Sequence, residues 1–146
     1  MAAVDVLTEG REGESPNLVL YYVVPAPMAD GIEEDGWVKL NGQDYIGLRQ
    51  EVSDAIDRAK MPCNYGPMEK AEIAVFKFTF TPTGVSHYTL RTTQGAKHGA
   101  VSVLRRQAYP YSVIDWKVWH FTGDLPLYMM DECGRLLLYS ERMYIY

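Results

Sequence analysis

Residues 18 to 37, LVLYYVVPAPMADGIEEDGW, decide how this chain folds. Leu18 to Val24 are aliphatic or aromatic without alternation, which predicts a strand buried on both faces inside a sheet. Pro25 ends the run. Pro27 suits the first turn of a helix, where its missing N–H has no partner to lose. Met28, Ala29 and Ile32 then form a short apolar stripe at helical spacing, and Gly36 fits a left-handed C-terminal cap. Asp30, Glu33, Glu34 and Asp35 make the outer face of that helix acidic.

On the N-terminal side, residues 1–17 combine Gly, Glu, Ser and Pro with little to bury, and are expected to be a flexible leader. Residues 18–146 then make a single domain, an ordinary size for one good core. On the C-terminal side, WVKLNGQDYIGLR, beginning at Trp37, reads as two short strands broken at the tight-turn pair Asn41-Gly42. In residues 50–60 a second helix is predicted, because Val52, Ala55, Ile56 and Ala59 stand on one stripe. Asp54 and Arg58 form an i,i+4 pair across it, and Pro62 stops it.

Beyond Glu72 the chain reads as strands. AEIAVFKFTF (71–80) places Ala74, Phe76, Phe78 and Phe80 on one face. Thr81 to Gly84 reads as a turn and the following VSHYTLRTT as a strand. QGAKHG (94–99) reads as a loop, SVIDWKVWHF (112–121) as a strand, TGDLP as a break and RLLLYSERMYIY as a closing strand. The expected fold is therefore α+β: a twisted, mainly antiparallel sheet with two short helices in the N-terminal half.

Composition narrows the function classes. The net charge is −5, made of −7 over residues 1–60 and +2 over residues 61–146. That balance disfavours general nucleic-acid binding, which draws on phosphate neutralisation. The start of the chain lacks a basic segment followed by an apolar one, and no apolar run is long enough to span a bilayer, so a soluble intracellular protein without membrane insertion is expected. Cys63 and Cys133 form no CxxC and fit reduced thiols. His87, His98 and His120 are too scattered for a metal site.

LYYVVPAPMADGIEEDGW, QDYIGLRQEVSDAIDRA and EIAVFKFTF resemble in their order the ADP-ribosyltransferase fold, which the RNA 2′-phosphotransferases share. WKVWHFTGDLPL resembles the ending of several small members, so that the likeness spans roughly residues 18–130. The resemblance implies a nucleotide cleft with NAD as the cofactor of active members. The family's first-strand His or Arg falls here on Tyr21 or Tyr22, and its nicotinamide-packing aromatic or serine on Tyr45. Tyrosine stacks and hydrogen-bonds but supplies no cation. The late carboxylate that would act on the ribose is Glu132 or Glu141, neither of them in a Glu-x-Glu or Gln-x-Glu pattern.

The resemblance thus implies a catalytically degenerate ADP-ribosyltransferase-like domain, used for binding a nucleotide-type ligand or a protein. One rival is an active transferase that splits NAD, with Tyr45 stacking and Glu132 or Glu141 catalytic; a carboxylate in reach of a ring-lined cleft would favour it. Another is a structural subunit, with aromatic or acidic-helix surfaces as contacts. Ordinary roles compete with each assignment: Tyr21, Tyr22 and Tyr45 as core tyrosines, and Arg91, Lys97, His98, Arg105 and Arg106, with Tyr88 nearby, as a solvated face. Trp116 and Trp119, three apart on a strand, are expected on opposite faces, with an exposed one serving as an interface anchor.

Overall fold

The computed structural model describes residues 17–92 and 118–145. Its centre is the quoted stretch. Strand β1 (Leu18–Pro25) lies between β3 (Ile46–Arg49) and β4 (Ile73–Phe80), antiparallel to both. Strand β9 (Leu136–Met143) pairs with β4, and β8 (Tyr128–Met130) with β9. On the other side β6 (Val118–Phe121) pairs with β3, and β5 (Arg91–Thr92) with β6. The result is a curled antiparallel sheet in the order β5-β6-β3-β1-β4-β9-β8. A separate two-stranded ribbon joins β2 (Trp37–Val38) to β7 (Leu125–Pro126). The fold is α+β with a mainly antiparallel twisted sheet, as expected.

Among the described residues, three α-helices accompany it. Helix α1 (Ala26–Asp35) has proline in its first turn and ends at Gly36, whose φ of 81° and N–H to the Ile32 carbonyl (2.8 Å) form the left-handed cap. Helix α2 (Val52–Ala59) buries Ala55 and Ala59. Helix α3 (Pro82–Tyr88) replaces the expected turn and the first part of the expected strand, of which Arg91–Thr92 forms β5. Its cause is local: Thr81 accepts the Gly84 N–H at its side-chain oxygen (3.0 Å), Pro82 fills the first turn, and Thr89 closes the helix at φ 54°. The Thr81 hydroxyl also donates to the Leu136 carbonyl (2.7 Å), which ties the helix start to β9.

The sheet separates two clusters. Leu20, Val24, Leu48, Ala74, Phe76, Phe78, Phe80 and Leu138 form the main core with α1 and the ribbon. Val23, Ile73 and Val75 form a smaller one under α2. The two strands expected around Asn41-Gly42 exist but never pair with each other: the turn, with φ of 52° and 79°, hands the chain from the ribbon to the main sheet. TGDLP, expected as a break, contributes β7. The expected Asp54–Arg58 pair gives way to Arg49, whose Nη1 reaches the Asp54 carboxylate at 2.9 Å. A half-buried carboxylate has more to gain from that enclosed guanidinium than from a solvated neighbour. Arg58 contacts the Met61 sulfur instead.

Both cysteines are free and exposed. Among the described residues no helix is long and apolar enough to cross a membrane. Residues 1–16 of the expected leader, the QGAKHG loop, Trp116 and the basic residues from Lys97 to Arg106 lie outside the described residues.

Candidate functional site

Alternation along β1 sends Tyr21 and Tyr22 to opposite faces. Tyr22 packs against the main core and Tyr21 against the cluster under α2. Strands β1 and β4 are paired from Leu18↔Phe80 to Pro25↔Ile73, but β1 and β3 meet only at Tyr21↔Arg49. Where β1 and the segment leading into β3 separate, a recess of about 240 Å³ opens.

Each wall of that recess has a local origin. Tyr22 comes from β1, and Met28, Gly31 and Asp35 from one side of α1. Trp37 starts β2, and Lys39, Asn41 and Gln43 come from the turn after it. That turn is fixed by the Gln43 N–H to the Leu40 carbonyl (3.1 Å) and by the Leu40 N–H to the Asp124 carboxylate (2.7 Å). Tyr65 enters from beyond α2, carried on a turn whose backbone N–H donates to the Ala59 carbonyl at 3.0 Å. Met28, Trp37 and Tyr65 are each about two-fifths exposed, 42%, 38% and 40%, so the recess is ring-lined and open to solvent.

Tyr22 and Tyr65 both line the recess and interact electrostatically there. Burial, reinforced by Tyr65, pushes the Tyr22 phenol well above its ordinary value, so it stays neutral throughout the physiological range. Helix α1 is held from its far side: Arg142 Nη1 on β9 donates to Asp30 and Glu33, both at 2.9 Å. Those two acids of the expected solvated face therefore serve as an anchor. At Gly31 an added Cβ would meet no atom within 4 Å, which marks open space beside the helix.

Of the sequence-predicted site residues, only Tyr22 lines this recess. Tyr45 immediately precedes β3, and its ring stacks on His120 with centroids 4.0 Å apart. Gly47 leaves room for that ring: an added Cβ would lie 3.7 Å from Tyr45 and 3.3 Å from Val118. By alternation Tyr45, Arg49, His120 and Tyr21 share the other face of the sheet. Arg49 and His120 are buried there. The structure thus joins Tyr21 with Tyr45 on one face and gives Tyr22 to the recess. Glu132 stands in the exposed turn between β8 and β9. Glu141 lies on β9, exposed, with its carboxylate 4.0 Å from the Lys77 amine. Neither borders the recess.

Sequence reasoning missed Tyr65, Trp37 and Asp35 as wall residues. Trp37 and Asp35 were visible in the opening stretch, as a ring after a helix cap and as one acid among four. Tyr65, between Asn64 and Gly66, belongs to no apolar stripe, and a ring without a place in the periodic core is the signal that could have found it. Tyr88, considered for stacking beside the basic cluster, packs instead on Phe121 and Phe80, with ring centroids 4.8 and 6.3 Å away. Among the described residues no group of three or more His, Cys, Asp or Glu could hold a metal ion. No protein-family model matches the chain, and no curated protein or solved structure matches it significantly.

Proposed function

We propose that the chain is a ligand-binding domain of catalytically degenerate ADP-ribosyltransferase-like type, whose recess beside β1 holds a compact ring-bearing group. The observation that carries this reading is the convergence of Tyr22, Trp37 and Tyr65 around one opening. Ring faces at a solvent-open recess bind flat groups by stacking, and the hydroxyls of Tyr22 and Tyr65 add polar contacts that orient them. Its volume of about 240 Å³ falls below the roughly 300–1,000 Å³ of sites that enclose drug-sized ligands. One ring of a nucleotide fits, and the remainder of such a ligand would lie along the rim. The order strand, proline turn, helix with glycine cap, second helix and long strand supports the family resemblance as far as order alone can. Degeneracy is supported by tyrosine at the first-strand position and by a recess lining that includes neither Glu132 nor Glu141.

A thermal-shift series with NAD, ADP-ribose, ATP and adenosine tests it. A ligand at a hundred times its dissociation constant adds about 2.7 kcal/mol of stability. Gly31→Leu, which fills the open space beside α1, should remove the shift. If no compound stabilises the protein, the ligand-binding reading fails.

One observation favours the active rival: Asp35 places a carboxylate at a ring-lined recess. NAD hydrolysis that is lost in Asp35→Asn, but kept in Glu132→Ala and Glu141→Ala, would establish an active enzyme whose carboxylate is Asp35 in place of Glu132 or Glu141. Turnover near background is the expected result, because losing a preorganised group typically lowers rate about a hundredfold or more.

A further inference from the structure

We infer that the recess selects a cationic head group, an alkylated ammonium, over a neutral or anionic group of the same size. This rests on the recess being a ligand site and is independent of the nucleotide class.

Four features point the same way. Tyr22, Trp37 and Tyr65 line the opening; the face of each such ring is the negative side of its quadrupole, and Trp is the strongest partner for a cation. Asp35 supplies a carboxylate at the same opening. The C-terminal end of α1, which carries the negative pole of the helix, is that same Ile32–Asp35 edge. Finally, the segment 26–45 that builds most of the walls carries five acids and one base. Arg142 engages Asp30 and Glu33, which leaves Glu34, Asp35 and Asp44 against Lys39.

Chemistry narrows the cation further. A primary ammonium leaving water needs acceptors for three N–H bonds, and ring faces provide none of comparable strength. An alkylated ammonium has few or no donors to satisfy and spreads its charge over methyl groups that also pack on Met28 and the rings. Phosphate is disfavoured, because among the described residues no arginine lines the recess and the helix end facing it is negative. Lys39 is the opposing charge. It is exposed, as is Asp35, so solvent and salt screen both charges alike and the rings carry most of the preference.

The test titrates the full chain with choline and, in parallel, with 3,3-dimethyl-1-butanol, its uncharged isostere, followed by calorimetry and tryptophan fluorescence. Choline should bind about tenfold or more tightly than the isostere. Trp37→Ala should weaken choline by about tenfold, and Asp35→Asn by about threefold, with Lys39→Gln strengthening it by a similar factor at low salt. Gly31→Leu should abolish binding while keeping the wild-type far-ultraviolet circular dichroism. Equal affinity for choline and its isostere would overturn the cation inference. Adenosine or NAD binding that Gly31→Leu abolishes, without any choline binding, would overturn it while leaving the recess a ligand site. No binding by any of these compounds would remove both readings.

Discussion

The two flanks of β1 are built differently. Toward β4 and β9 every residue of the strand is paired, and Phe76, Phe78, Phe80 and Leu138 are essentially sealed from water. There α3 sits so close to β9 that a Cβ at Gly84 would fall 1.9 Å from the Leu137 carbonyl oxygen. Toward β3 the strand is paired only at Tyr21↔Arg49, and the flank is completed by a helix with open space at Gly31 and by half-exposed rings. Saturated backbone and dry ring packing concentrate stability on the first flank. The interrupted ladder leaves concave space on the second, which is where a small molecule can be held. Stability and binding should therefore separate on substitution.

The sharpest way to break this contrast is Phe78→Ala. Emptying a fully buried ring site in the middle of β4 should cost about 3–5 kcal/mol in chemical denaturation. A loss below about 1 kcal/mol would mean that the flank is not packed as described. Gly84→Ala comes next: one methyl group must push α3 off β9, at a cost of about 3 kcal/mol, read from the same transition midpoint.

Effects on the open flank are smaller. Tyr22→Phe removes a half-buried hydroxyl beside Tyr65 and should change stability by no more than about 1 kcal/mol, while leaving a ring in the recess. Gly31→Ala has the same chemistry as Gly84→Ala and the opposite sign. With no atom within 4 Å to meet, the methyl group should raise stability by about 0.5–1 kcal/mol through reduced backbone entropy. Loss of stability in both glycine variants would erase the distinction between the flanks.

The smallest effect is a pH dependence at the end of the closed flank. In the turn joining β8 to β9 the Asp131 carboxylate accepts the Arg135 backbone N–H (2.8 Å), the Arg135 side chain (2.7 Å) and the Cys133 N–H (2.9 Å). The Arg135 backbone N–H is the leading cause that holds its carboxyl below the usual range, with the Arg135 side chain and the Cys133 N–H adding to it. A carboxyl lowered by folding stabilises the turn above the unfolded value near about pH 4, and that contribution fades as pH falls through the lower folded value. The Arg135 amide resonance should therefore hold steady from neutrality to about pH 4 and move only below it. Asp131→Asn should abolish that movement.

Sequence periodicity carried most of the fold. Unbroken apolarity in LVLYYVV, the Phe76–Phe78–Phe80 alternation and the Val52–Ala59 stripe each require only neighbouring residues to be interpreted, and all formed as expected. Misreadings arose where a cap outweighed composition. VSHYT contains residues that favour strands, but Thr81 and Pro82 start a helix three residues earlier, and that helix is then secured by the Leu136 carbonyl, more than fifty residues away. The candidate site was legible only through Tyr22. Tyr21, one residue earlier, falls on the other face because a strand alternates, and assigning the two tyrosines to faces requires knowing which face α1 covers.

By itself the sequence determined that β1 is an interior strand, that α1 begins at prolines and ends at Gly36, and that α2 presents one apolar stripe. These follow from local sterics and from the burial of neighbouring side chains. The tertiary structure alone decided that β1 and β3 join at a single residue pair, that Arg142 grips α1, and that Tyr65 arrives from beyond α2 to face Tyr22 and Trp37. Each of these joins residues distant along the chain, and their meeting depends on how the sheet curls and which helix covers which face. Periodicity within one segment contains no term for that.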